Sequence, residues 1–290
     1  MQWMSKQMQG RIQSKIYLFY LLPFFGWVFF FVIIPLVIIG IYSFSTKGIH
    51  GEVIFQFQVG NYLQAFDWTY LKIFWNSIKL ATFTGILCLL ISYPMAYKIA
   101  RSAERWKPVF LILIVLPFWI NFIVRAYASR SLFGDFGFIN QVLLNLGLVK
   151  QPISFLSTKF SVGVGMLTNY LPFMIFPIYL AIEKFDFDLI EAARDLGANS
   201  WSILYRILIP LTWQGIMTGF IFVFVPSLGE FVIPELLGGA KTMFFGNLIT
   251  EQFLRMRNWP FGSALSLLLI GFLIAILLIH FAFLYSSREK

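Results

Sequence analysis

Long apolar runs separated by shorter polar segments dominate this chain. The runs at 17–44, 80–97, 109–128, 160–182, 207–234 and 262–285 are each near or above the ~20 residues a helix needs to cross a bilayer. The pattern predicts about six transmembrane helices and therefore an all-α integral membrane protein, with both termini on one side. The first run is too long for a signal-peptide core and has no small-residue cleavage site near it, so it is expected to be retained. The expected layout is an N-terminal segment at 1–16, one transmembrane domain at 17–285 and a tail at 286–290.

One polar, helix-patterned stretch interrupts this plan. Residues 188–210 read DLIEAARDLGANSWSILYRILIP. Asp188 and Glu191 have the D-x-x-E spacing of a capping box, and Gly197 supplies a left-handed helix stop about two turns later. Asn199 or Ser200 then caps a second helix running into the membrane. Leu189, Ala192, Ala193 and Leu196 recur at i, i+3, i+4 and i+7, which predicts one contact face, with Glu191, Arg194 and Asp195 opposite. So short a helix is unstable alone and requires a partner surface. On the residues alone that surface is either lipid headgroups or another protein. The acidic residues from Glu183 to Asp195, which anionic lipid repels, weigh against lipid.

Two further helices are predicted between spans: one from the spacing of Ile139, Val142, Leu143 and Leu146, the other at 247–256 before Trp259-Pro260. Either they anchor loops at the interface or they form a platform for an external partner. Prolines 94, 117, 172, 177, 210, 226 and 234 break the spans, which membrane helices tolerate only against protein or water. Gly215 and Gly219 form a G-x-x-x-G pair that permits close helix packing.

Composition sharpens this picture. The 290 residues are 59% hydrophobic and only 12% charged, against about a quarter charged in soluble domains. The net charge of +9 reads as basic loop residues of a membrane protein and not as a nucleic-acid surface. Twelve of the 22 Lys and Arg, among them Lys6, Arg11, Lys15, Arg101, Arg105 and Lys107, fall on the inner segments if the N-terminus is inside. Those segments are shorter, so the positive-inside rule votes for both termini and the 188–206 helices facing the cytoplasm. The single Cys88 excludes a disulfide framework, and His50 and His280 are too distant for a metal site.

No catalytic constellation is expected. GGAKT at 238–242 fails as a phosphate loop, because Ala240 stands where the glycine before the lysine belongs and Glu235 where the first glycine belongs. No nucleophile with a histidine and no paired intramembrane carboxylates stand out. The charges in or near the apolar runs are then the candidates. Glu230, after the Pro-Ser-Leu-Gly break of the fifth run, with Glu235 beyond it and the aromatics Phe231 and Trp119, offers charge and cation-π attraction to an organic cation. Arg125, near the end of the third run, is a further pathway candidate. The alternative is that Glu230 pairs with Arg125 as structural glue, or that both reach the interface.

Glu191, Ala192, Ala193, Gly197, Ile207 and Pro210 match the EAA signature, with Ile209 in place of the usual Leu, and so resemble the membrane subunits of ABC importers. VLPFWINFIVRAYA at 115–128, YLPFMIFPIY at 170–179, IEKFDFDLIEAARDLGA at 182–198, PSLGEFVIPELLGGAK and RNWPFGSALS together resemble the spermidine/putrescine importer permeases, especially the first of their two membrane subunits. The likeness covers most of the chain from about residue 60. Asn258 departs from it, standing where relatives often have Asp.

The resemblance implies a type I ABC importer permease fold in the inner membrane, with a cytoplasmic coupling loop at about 183–206. It also implies the partners: a homodimer of ATPase subunits that binds ATP and Mg²⁺, a second homologous permease and an extracytoplasmic polyamine-binding protein. Glu191, Ala192, Ala193, Arg194, Asp195 and Gly197 become the ATPase-coupling residues. No cofactor and no nucleic acid is expected on this chain. Another small organic cation or a ferric complex is the alternative cargo, and an ion-gradient-driven transporter the alternative class.

Overall fold

The computed structural model describes residues 23–239 and 243–286. The 1–16 segment, the start of the first span, the end of the tail and residues 240–242 of the GGAKT stretch lie outside the described residues. In chain order the elements are α1 (Pro23–Ser43), a hairpin of β1 (Thr46–Lys47) and β2 (Val53–Ile54), α2 (Gly60–Ala65), α3 (Trp68–Ala100), α4 (Lys107–Val115), α5 (Phe122–Phe133), α6 (Phe138–Asn145), α7 (Lys159–Glu183), α8 (Asp188–Asp195), α9 (Ser200–Gly229), α10 (Val232–Gly238), α11 (Phe245–Leu254) and α12 (Trp259–Ser286). The two predicted short helices are present as α6 and α11.

Among the described residues, α1, α3, α7, α9 and α12 are long and apolar enough to cross a membrane. The expected third span is different. Residues Lys107–Trp119 and Phe122–Asn145 form a broken pair bent by 89°, which makes a sixth span only if taken together. The break has a local cause. The chain tightens to a 3-10 turn at Leu116–Trp119 and becomes extended at Ile120, and the Asn121 side chain then accepts from the Ile123 N–H at 2.8 Å to start α5. A proline followed by a capping asparagine is a helix boundary even inside an apolar run. The fifth span also ends earlier than expected, at Gly229, and Pro234 belongs to α10.

Two prolines are absorbed by wider turns. Single π-helical turns at Phe29–Ile33 and Leu204–Leu208 each lie just before a proline, Pro35 and Pro210. Proline lacks an N–H and its ring crowds the carbonyl one turn earlier, so a π turn lets the helix continue through it.

Two compact units are present. Residues 23–67 and 252–272 form one, in which the Asn61 amide donates to the Ser43 and Ser45 carbonyls at 2.9 Å each and Lys47 Nζ donates to the Met256 carbonyl at 2.7 Å. In the same unit the Asn258 side chain accepts from the Phe261 N–H at 3.3 Å at the start of α12, so this asparagine is a helix cap.

The other unit, 68–251 with 273–286, is built on α3, α7 and α9, each packed against the other two. Its core includes Cys88, Met166, Met174, Ile178, Ile216 and Val223. Gly215 and Gly219 do what their spacing predicts. A Cβ at Gly215 would lie 2.5 Å from the Ala181 Cβ and 2.7 Å from the Pro177 carbonyl oxygen, and one at Gly219 would lie 2.9 Å from the Met174 Sδ. The α7 backbone therefore lies directly on this face of α9.

Candidate functional site

The loop between α7 and α9 is built on a small apolar core. Ile190, only 2% exposed, packs with Ile203 and Leu208, and Tyr97, Phe187, Ala193 and Ala198 close around them. Tyr97 at the end of α3 meets the Phe187 ring edge-on at 6.3 Å, and the Arg101 guanidinium lies over that ring at 5.5 Å. Ahead of the loop, Glu183 accepts from the Tyr179 hydroxyl at 2.5 Å and lies 3.7 Å from Lys107 Nζ, which also pairs with Glu104. The start of the loop is thus fastened to the end of α3 and the start of α4.

Gly197 ends α8 as expected. Its φ is +81°, its N–H donates to the Arg194 carbonyl, and the Ala198 N–H donates to the Ala193 carbonyl, both at 2.9 Å. This pair of bonds is the Schellman motif, which needs a left-handed residue at the position after the cap. Asn199 then accepts from the Ser202 N–H at 2.7 Å and starts α9.

Two expectations about α8 are corrected. Asp188 is the first helical residue and makes no capping bond; Asp186 instead accepts from the Asp188 N–H at 3.0 Å. That turn closes two residues earlier than a capping box would, and leaves the Asp188 charge in the first turn, where the helix dipole favours it. The contact face is also split. Ile190 and Ala193 turn inward, because Ile203 and Leu208 offer Ile190 a dry site, and Leu189, Ala192 and Leu196 are left exposed, Leu196 at 89%. Glu191, Arg194 and Asp195 are exposed beside them. The loop therefore presents two leucines, a small residue and three charges on a helix already fixed from beneath.

The second candidate region is the break after α9. Glu230, 8% exposed, accepts from the Tyr170 hydroxyl at 2.5 Å through Oε2 and from the N–H groups of Val232 and Ile233 at 2.9 and 3.3 Å through Oε1. It caps α10 and ties that helix to α7. Phe231 and Glu235 are exposed next to it, and the Phe231 carbonyl accepts from the Asn247 amide at 2.9 Å. Trp119 stands at the α4–α5 break, 83% exposed. Arg125 forms no ion pair with Glu230: its guanidinium lies over the Phe118 ring at 4.5 Å, with Nε and Nη1 buried and unpaired. The structural-glue alternative thus has the right character for Glu230 and the wrong partner. Tyr170, Asn121 and Ile190 were missed in the sequence. Asn121 was legible as a polar cap in an apolar run, whereas Tyr170 and Ile190 carry no local signal.

Residues 100–288, which hold both the loop and the Glu230 break, match the family described as binding-protein-dependent transport system inner membrane component. The chain belongs to this family. Among its relatives is the spermidine/putrescine transport system permease protein of Haemophilus influenzae, 40% identical over 264 residues that cover 91% of each chain. The fold is similar to that in the crystal structure of a bacterial ABC transporter involved in the import of the acidic polysaccharide alginate. The TM-score is 0.71 at 17% identity, over 98% of this chain and 99% of that one. A second crystal structure, of the bacterial alginate ABC transporter in complex with an alginate pentasaccharide-bound periplasmic protein, matches with a TM-score of 0.69 at 17% identity over 93% and 94% of the two chains.

As an inner membrane component, this chain is a multi-pass protein whose apolar helices supply the spans. The Haemophilus influenzae relative is a permease protein of a transport system. The matched segment of this inner membrane component begins at the end of α3, so the α3–α4 turn that fastens the loop lies within it.

Proposed function

We propose that this chain is the permease subunit of an ATP-driven, binding-protein-dependent importer that carries polyamines of the spermidine/putrescine class into the cell. The observation that carries this reading is the 40% identity to the Haemophilus influenzae spermidine/putrescine permease across 91% of both chains.

In this reading both termini and the α7–α9 loop face the cytoplasm, supported by the density of Lys and Arg on those segments. The α8 helix is the coupling helix. Leu189, Ala192 and Leu196, with Glu191, Arg194 and Asp195 alongside, enter a cleft on one subunit of an ATPase homodimer, and that homodimer holds ATP and Mg²⁺. The packing of Ile190 of α8 with Ile203, Leu208, Phe187 and Tyr97 means that a push on α8 is delivered to α3, α7 and α9 as a body. A second, homologous permease completes the membrane domain, and an extracytoplasmic polyamine-binding protein delivers cargo.

Glu230, Glu235, Phe231 and Trp119 offer negative charge and aromatic faces to a polycation on its way. Arg125 takes part as a fixed positive charge that keeps the cation to the acidic side of the path.

The deciding experiment is uptake of labelled spermidine and putrescine in cells lacking this chain, with and without its restoration alongside its partner subunits. Restored uptake that survives an uncoupler while ATP is maintained supports both class and cargo. Uptake that collapses with the ion gradient overturns the class, and an assembled complex without polyamine uptake overturns the cargo.

A further inference from the structure

A cavity of about 800 Å³ lies between α3 and α7, within the ~300–1,000 Å³ of small-molecule sites. Along its length it is apolar. Leu80, Phe83 and Leu87 line it from α3 at i, i+3 and i+7, and Phe160, Gly163 and Val164 line it from α7. The seven helical steps from Leu80 to Leu87 give the groove a length of about 10 Å. Gly163 keeps its floor open, since a Cβ there would meet only the Phe83 ring edge at 3.6 Å.

One end of the groove has a different character. Lys79 and Lys159 both line it, each exposed and each immediately before the apolar run of its helix, with Asn76 and Ser157 beside them. The N-terminus of the 25-residue helix α7 lies at the same end, adding the positive end of its dipole. Lys79 also stands over the Trp75 ring, 5.8 Å from its centroid. A tryptophan and two lysines where two apolar runs begin mark the level of the lipid headgroups. Neither lysine has a carboxylate within ion-pair distance among the described residues.

We propose that this groove is a binding site for one anionic phospholipid, its phosphate held between Lys79 and Lys159 and an acyl chain lying between α3 and α7. The separation of charge and apolar surface matches that molecule along its length: two cations at the headgroup level and about 10 Å of hydrocarbon wall below them. A polycation is repelled by the two lysines, so the site is separate from the transport path proposed above.

The test is native mass spectrometry of the full chain, purified from its own membrane in mild detergent and titrated with phosphatidylglycerol or phosphatidylethanolamine of the same acyl chains. Phosphatidylglycerol is expected to stay bound preferentially, and the double variant Lys79→Gln/Lys159→Gln to retain it roughly tenfold less well, each lysine near a membrane surface being worth several-fold. Gly163→Leu, which fills the floor and keeps both charges, is expected to lower retention as well, and it decides the matter if the charge variant does not assemble. Removing two other exposed cations, Arg130→Gln/Lys150→Gln, is expected to leave retention unchanged. Equal retention of the two lipids, equal loss in the control variant, or displacement by the chain-free headgroup glycerophosphoglycerol would overturn the proposal.

Discussion

The Tyr170 hydroxyl donates to Glu230 Oε2 at 2.5 Å, joining the middle of α7 to the point where α9 breaks. The other carboxylate oxygen holds two N–H groups at the start of α10. One buried side chain therefore joins three helices, and among the described residues its oxygens are met by hydroxyl and N–H donors and not by a cation.

Glu230→Gln separates the two roles of this residue. The amide oxygen still accepts at α10, so assembly is expected to be near normal. Loss of the charge is expected to lower spermidine uptake at low concentration, read as a rise in KM. Glu230→Ala removes the acceptor as well, leaves the Tyr170 hydroxyl and two N–H groups without it, and is expected to cost about 1–3 kcal/mol of stability, measured as a fall in the detergent-solubilised unfolding midpoint. Unchanged uptake kinetics in the Gln variant would make Glu230 a structural cap alone.

Gly197 tests the loop through its backbone. A side chain at this position meets nothing within 4 Å, so substitution acts through the positive φ alone, at about 1–2 kcal/mol for most residues and less for asparagine. Gly197→Asn is expected to retain more ATP-coupled uptake than Gly197→Val, although neither prevents membrane insertion. Gly197→Asp adopts this conformation nearly as readily as asparagine but adds a carboxylate to the exposed docking face, and is expected on that account to uncouple ATP hydrolysis from uptake. Coupled uptake at the native level in both Asp and Val variants would remove α8 from the docking role.

Ile190 and Leu196 lie on the same short helix and are expected to fail differently. Ile190→Ala empties a buried site and is expected to cost about 2–4 kcal/mol locally, read as faster proteolysis within the loop. Leu196→Ala removes an exposed side chain, so the loop is expected to stay intact while co-purification of the ATPase subunits weakens. If both variants weakened only the loop, the exposed leucines would not be a contact surface.

Gly219→Leu is expected to force α9 from α7, because even a Cβ there comes within 3.1 Å of the Met174 carbonyl oxygen. Overpacking of this kind costs about 1–3 kcal/mol or more. The expected reading is a lower unfolding midpoint, with the same substitution at Gly271, where a Cβ meets nothing within 4 Å, leaving it nearly unchanged.

Features with local causes are legible in the amino-acid pattern alone. Apolar runs of bilayer length gave α1, α3, α7, α9 and α12, because a backbone in lipid must satisfy its own hydrogen bonds. Gly197 and Asn199 fixed the end of α8 and the start of α9, since a left-handed stop and an N-cap each act over a few residues. The Gly215–Gly219 spacing marked a close helix contact.

Features that depend on partners far along the chain emerge only from the packing. Ile190, and not the Leu189–Leu196 stripe, became the anchor of α8, because Ile203 and Leu208 supply the dry site. Glu230 found Tyr170, sixty positions away in sequence, and Arg125 found the Phe118 ring. Periodicity says which side chains share a face, but only the packing of α7 against α9 and α10 says which of those faces has an acceptor, a ring or an empty surface opposite it.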